Sequence, residues 1–191
     1  APLYDKAFAS RITTGNLDDD LGKIAEVDWI IEVVIERLDI KQQLFEKVDA
    51  LRKPGTLVTS NTSGIPIQMM SAGRSDDFQA HFCGTHFFNP PRYLKLLELI
   101  PGPKTSPEVL EFLLDYGKRY LGKTTVQAKD TPAFIANRVG VFSMMVNMHL
   151  MREMGLTPKE VDPITGPLLG RAKSATYRTA DVVGQSSPLR G

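Results

Sequence analysis

The sequence predicts an α/β fold with a largely parallel sheet, followed by the start of an all-α region. Three observations carry this reading. Between residues 28 and 128, short β-branched or apolar runs alternate with amphipathic segments of helical period. The connection at residues 89–93 is too short for a crossover, so the two runs it joins pair antiparallel. After Asp130-Thr-Pro132 the alternation stops and one long apolar helical segment begins. The expected boundary divides the chain into residues 1–130 and residues 131–191.

Residues 1–27 are polar and mixed, and Asp18-Asp-Asp20 reads as a solvated turn. Asp28-Trp-Ile-Ile-Glu-Val-Val-Ile35 is a dense β-branched run and predicts a buried strand, with Glu36 just past its end. Leu38 to Leu51 predicts an amphipathic helix whose stripe is Leu44, Phe45, Val48 and Leu51, ended by Pro54-Gly55. Thr56 to Thr59 is a short strand running into Ser60-Asn-Thr-Ser-Gly64. Small polar residues just past a strand stand where open α/β sheets bind ligands, although a structural loop is the commoner reason for such a cluster. Ile65 to Ala72 predicts a short helix, Phe82 to Phe88 a strand, and Leu94 to Ile100 the next strand.

Ser106-Pro107-Glu108 announces a helix: a hydroxyl cap, proline at the first helical position, and an acid in the first turn. Gly122 suits its left-handed C-terminal cap, and Thr124 to Ala128 returns as a strand. Phe134 to Met154 predicts one helix, apolar nearly all round and about 30 Å long at 1.5 Å per residue. Asn137, Arg138, Asn147, His149 and Arg152 interrupt it, so it reads as the buried first helix of a helical domain and not as a membrane span. Thr157-Pro-Lys-Glu160 is a capping box opening another helix. Signals weaken from residue 171, and Ser186 to Gly191 reads as disordered.

Composition narrows the function. The 191 residues are 42% hydrophobic and 24% charged, enough to bury a core. A formal net charge of +1 gives no electrostatic case for nucleic acid or acidic membranes. The single cysteine, Cys83, excludes an internal disulfide and fits a reducing, cytoplasmic setting. It reads as a small buried apolar residue and not as a nucleophile. No metal site is expected.

The chemistry centres on Gly84-Thr-His-Phe-Phe-Asn-Pro-Pro91. His86 lies in a short apolar strand that Asn89-Pro90-Pro91 stops. Glu98 lies twelve positions on, in Leu94-Lys-Leu-Leu-Glu-Leu-Ile100, and the midpoint of the two is Arg92, inside the break. Folding the runs back about that break sets His86 opposite Glu98. A carboxylate there can hold one imidazole nitrogen and leave the other to move a proton. A lone strand histidine is most often a satisfied core residue, but carboxylates are rarely buried unpaired, and that favours the functional reading.

Gly117-Lys-Arg-Tyr-Leu-Gly-Lys-Thr124 matches the phosphate-loop pattern G-x-x-x-x-G-K-[ST]. Its context is wrong, because that loop needs a strand before it and a helix after it, and here the order is reversed. The chain contains no G-x-G-x-x-G.

The ordered set Asp28-Trp-Ile-Ile-Glu-Val-Val-Ile-Glu36, Ser60-Asn-Thr-Ser63, His86-Phe-Phe-Asn-Pro90, Glu98 and Asp130-Thr-Pro-Ala-Phe-Ile-Ala-Asn-Arg138 resembles the 3-hydroxyacyl-CoA dehydrogenase family over about residues 25 to 140. Gly170 to Gly184 is similar to the large bacterial members joined to an enoyl-CoA hydratase-like region. The resemblance implies NAD as cofactor, a Rossmann-type domain, and a helical domain closing over an acyl-CoA substrate. It implies His86 as the base taking the 3-hydroxyl proton, Glu98 as its orienting partner, and Ser63 and Asn137 as hydrogen-bonding groups on the substrate oxygen. Cofactor contacts carry over to Glu36, Lys41, Asn61 and Asn89. A homo-oligomer is implied for the full-length enzyme.

Family members begin with a strand, a glycine fingerprint and a second strand that have no counterpart here. The resemblance therefore implies an internal fragment: a partial Rossmann-type dinucleotide-binding domain lacking its first strands, followed by the start of the helical domain. Two other readings stand beside the dehydrogenase: a non-catalytic acyl-CoA-binding or interaction module, and a sister NAD-dependent hydroxy-acid dehydrogenase.

Overall fold

The computed structural model describes residues 5–182 and divides into two compact units, Ala1–Ile135 and Ala136–Gly191. The expected disorder of residues 186–191 lies outside the described residues. In the first unit, two short 3-10 helices, Lys6–Arg11 and Leu21–Glu26, precede the sheet. The turn at Asp18 to Asp20 is organised by Asn16, whose Oδ1 accepts the N–H groups of Asp18 and Asp19.

Five strands form one sheet in sequential order: β1 (Trp29–Glu32), β2 (Leu57–Ser60), β3 (Phe82–Phe87), β4 (Leu96–Pro101) and β5 (Thr124–Gln127). β1, β2 and β3 are parallel, β4 is antiparallel to β3, and β5 is parallel to β4. Between them run α1 (Leu38–Leu51), α2 (Ile67–Ser71), α3 (Asp76–Ala80) and α4 (Pro107–Arg119). The fold class is the expected mixed α/β sheet.

The core has two parts. Phe45 and Val48 of α1 pack with Val58, Ile67, Met70, Phe78, Phe82, Ile100 and Phe134. Leu113 of α4 packs with Leu57, Cys83, Leu97 and Leu99. A central strand buried on both faces reads as a continuous apolar run, and Phe82 to His86 are all buried.

Several boundaries differ from expectation for physical reasons. β1 stops at Glu32, not Ile35, because its register partner Ser60 ends β2. The next free donor, Val34 N–H, turns instead to Glu32 Oε1 at 2.5 Å. Val33 and Ile35 are left 69% and 63% exposed. α3 is unpredicted by period; it is a single capped turn, with Ser75 Oγ accepting from Phe78 N–H and Asp76 and Asp77 in its first turn.

α4 begins as expected, with Ser106 as cap and Pro107 at its start, and Gly122 takes φ +63° beyond it. The phosphate-loop lookalike therefore spans a helix end: Gly117 is inside α4, packed so that an added Cβ would lie 2.5 Å from Thr125 Cγ2.

The second unit holds α5 (Ala136–Met154), α6 (Pro158–Thr165), a 3-10 turn at Pro167–Leu169 and α7 (Tyr177–Val182). α5 starts two residues later than expected because Ala133 and Phe134 are left-handed, at φ 61° and 48°. The expectation that α5 is buried is corrected: none of its residues is buried, and Phe142 is 71% exposed. A helix apolar on all sides needs neighbours on all sides. Within this unit the side-chain bonds of α5 to other segments come from Ser143, Asn147 and Met151, spaced four residues apart on one face, as in Asn147 Nδ2 to Thr176 Oγ1 at 3.0 Å. The capping box forms as expected, with Glu160 accepting from Thr157 N–H.

Candidate active site

The carboxyl ends of β1, β2 and β3 lie side by side, and β4 runs back beside β3. His86 and Glu98 are register partners across β3 and β4, as the spacing predicts. Nδ1 of His86 lies 2.7 Å from Oε2 of Glu98. Both side chains are buried, 4% and 0% exposed. A carboxylate only accepts, so Nδ1 carries hydrogen in this contact and Nε2 is left as the basic nitrogen. The other Glu98 oxygen, Oε1, accepts the backbone N–H of Ile135 at 3.1 Å. The rings of Phe88 and Phe134 flank the imidazole, with centroids 4.4 and 5.5 Å away.

A second polar group lies at the ends of β1 and β2. Lys41 comes off the first turns of α1 into the sheet edge, where its ammonium meets both carboxylate oxygens of Glu32 at 2.8 and 2.9 Å. It also lies 3.3 Å from Val34 O and 3.3 Å from Glu36 Oε2. Ser60 Oγ donates to Glu32 at 2.5 Å. A buried charge survives only when paired, and this one is paired on several sides.

Glu36 is different, since its side chain is 45% exposed. Its Oε1 accepts the Thr62 hydroxyl at 2.5 Å and the Ser63 N–H at 3.0 Å. Desolvation pushes this carboxyl up, but the Thr62 and Ser63 bonds and the Lys41 ammonium outweigh it and hold it below the usual carboxylate range. Asn61 works as a cross-strand tie: its Oδ1 accepts Phe87 N–H at 2.8 Å and its own N–H donates to Glu32 O at 2.9 Å.

The structure thus gathers Glu36, Lys41, Asn61 and Ser63 at the ends of β1 and β2, and His86 with Glu98 on β3 and β4. The Asn61 to Phe87 bond joins the two groups next to His86. Ser63 is exposed. Asn89 is exposed in the turn after β3, where the Asn89-Pro90 peptide is cis. Asn137 is half-buried in the first turn of α5 and belongs to the second unit.

Glu32, Ser60, Thr62 and Phe134 lie within the quoted motifs, but the sequence assigns none of them an individual role. Glu32 carried the signal that singled out Glu98, a carboxylate inside a β-branched run. Asp130 too lies within a quoted motif without an assigned role; its carboxylate caps α2 by accepting the N–H groups of Ile67 and Gln68 at 2.9 and 3.0 Å. Cys83, three residues before His86, is fully buried, and burial pushes its thiol up to about 12.

An open α/β sheet with a solvent-reaching acceptor carboxylate at the ends of its parallel strands has the form of a nucleotide-binding domain. Comparison with known proteins makes the class specific. Residues 2–131 match the family model described as 3-hydroxyacyl-CoA dehydrogenase, NAD binding domain, and the chain belongs to that family. A probable 3-hydroxyacyl-CoA dehydrogenase of Bacillus subtilis is 58% identical over 96% of this chain and 23% of its own length. A probable 3-hydroxyacyl-CoA dehydrogenase of Deinococcus radiodurans is 51% identical over 96% of this chain and 53% of its own length. Among solved structures, 3-hydroxybutyryl-CoA dehydrogenase of Escherichia coli K12 superposes with a TM-score of 0.66 at 35% identity, covering 70% of this chain and 28% of that one. The chain therefore spans about half, or less, of these relatives.

Proposed function

We propose that this chain is the catalytic portion of an enzyme that oxidises (S)-3-hydroxyacyl-CoA to 3-oxoacyl-CoA in fatty-acid β-oxidation. The observation that carries the reading is the buried, register-opposed His86–Glu98 pair at 2.7 Å. Nε2 of His86 takes the proton of the 3-hydroxyl as the C3–H bond breaks. Glu98 holds the ring in the tautomer that makes Nε2 basic and stabilises the imidazolium that forms. NAD, when bound, supplies the hydride acceptor.

The strand-end residues suit a dinucleotide. Glu36 presents a solvent-reaching carboxylate able to accept from ribose hydroxyls, and its ionised form is held by Thr62, Ser63 and Lys41. Lys41 is 1% exposed and acts from beneath, through Glu36. Asn61 and Asn89 complete the cofactor side of the assignment. Ser63, exposed just past β2, orients the substrate oxygen and stabilises its developing charge. Residues 131–191 form the start of the C-terminal helical domain. The full-length enzyme is a cytoplasmic homo-oligomer.

The test uses the full-length gene product, following NADH oxidation with acetoacetyl-CoA. Loss of a positioned general base costs roughly 10²–10⁴ in turnover, and His86→Gln is expected to show a kcat loss in that range with its fold retained. Unchanged turnover in that variant would remove His86 from the mechanism.

A further inference from the structure

The connection into α5 has an unusual backbone. Ala133 and Phe134 are consecutive residues with side chains, and both take the left-handed conformation, at φ 61° and 48°. L-residues avoid that region, and two in succession persist only where their surroundings dictate it. Here the surroundings are the catalytic pair. Phe134 is 2% exposed, packed into the core in an edge-type contact with His86 at a centroid distance of 5.5 Å and an interplanar angle of 62°. The next residue, Ile135, points its N–H at Glu98 Oε1.

Each contact restrains a different freedom. Glu98 accepts from His86 with Oε2 and from Ile135 with Oε1, so neither oxygen can swing away without losing a bond. A fixed carboxylate fixes the position of Nδ1, but a hydrogen bond through one atom leaves the imidazole able to tilt about it. Tilt is limited by the rings on its flanks, Phe88 at 4.4 Å and Phe134 at 5.5 Å. A straight helical entry into α5 would aim both the ring and the amide elsewhere.

We propose that Ala133–Ile135 is a positioning clamp for the general base, with Phe134 setting the tilt of the His86 ring and the Ile135 amide setting the orientation of Glu98. The proposal rests on His86 being that base. Phe134 is a positioning residue: it touches the imidazole, and its effect reaches the substrate only through Nε2. Proton transfer depends steeply on geometry, so loosening the ring lowers turnover more than it weakens binding.

Three forms of the full-length gene product separate the possibilities: wild type, Phe134→Leu and His86→Gln, assayed with NADH and acetoacetyl-CoA. Phe134→Leu is expected to lower kcat about tenfold while KM for acetoacetyl-CoA stays within about twofold. A Phe134→Leu protein that folds and keeps wild-type kcat overturns the clamp. In that case an inactive His86→Gln leaves the base assignment standing, whereas an active His86→Gln overturns the base assignment and the clamp with it. Should Phe134→Leu fail to fold, amide hydrogen exchange in the wild-type protein decides. Slow exchange at Ile135 supports the contact to Glu98, and exchange at the rate of an unprotected amide overturns it.

Discussion

Lys41 holds its ammonium 2.8 Å from Glu32, with both side chains 1% exposed. Taking either charge out of water costs several kcal/mol, so neither is tolerable without the other. Removing one partner strands a buried charge. Lys41→Met is expected to destabilise the protein by about 3–5 kcal/mol, read from urea unfolding. The double variant Glu32→Gln/Lys41→Met should recover most of that loss, because no charge is left behind. If the single and double variants are equally unstable, the pair is not coupled and the lysine matters only for packing. Glu36 sits at the exposed rim of the same cluster and depends on it differently, drawing on Lys41 for charge and on Thr62 and Ser63 for direction.

At the scale of elements, α4 shows how a local pattern misleads until its context is read. Its Gly117 belongs to a phosphate-loop spelling but serves to let the helix lie close on β5. In an isolated helix, Gly to Ala is worth about 0.5–1 kcal/mol of stability. In this helix the new methyl would meet Thr125 Cγ2 at 2.5 Å and Leu97 Cδ2 at 3.2 Å. Thr125 cannot easily rotate away, since its hydroxyl donates to Leu114 O at 3.2 Å. Overpacking of this kind costs roughly 1–3 kcal/mol and wins, so Gly117→Ala is expected to be net destabilising in thermal or urea unfolding. A stabilised variant would mean that α4 stands off the sheet. β1 carries the complementary lesson. Its β-branched sequence extends to Ile35, but a strand lasts only as long as its partner, and β2 ends at Ser60.

Across the whole molecule, what the sequence makes legible follows the range of the interaction responsible. Ser106-Pro107 and Thr157-Glu160 are local caps, and both form where they are spelled. The His86–Glu98 pairing is longer in range but needs only one break at its midpoint, so spacing reveals it. The cluster around Lys41 brings together β1, β2 and α1, and no spacing rule ranks Lys41 above the other lysines. The left-handed turn at Ala133 and Phe134 is equally hidden, because propensity argues against it and only the finished core enforces it. The exposure of α5 is not legible in its sequence, because apolar composition tells what a helix can bury and not what is there to cover it.

Cys83 gives the protein a built-in clock. It is the chain's one thiol, it is fully buried, and burial holds it at about 12, so a folded molecule offers almost no thiolate to an alkylating reagent. Modification therefore waits for β3 to leave the sheet, and β3 is the strand that carries His86. The rate of iodoacetamide labelling is expected to track the opening of that strand, rising with denaturant in step with global unfolding. Labelling that stays fast and independent of denaturant would show that β3 opens by itself, with His86 exposed in an otherwise folded protein.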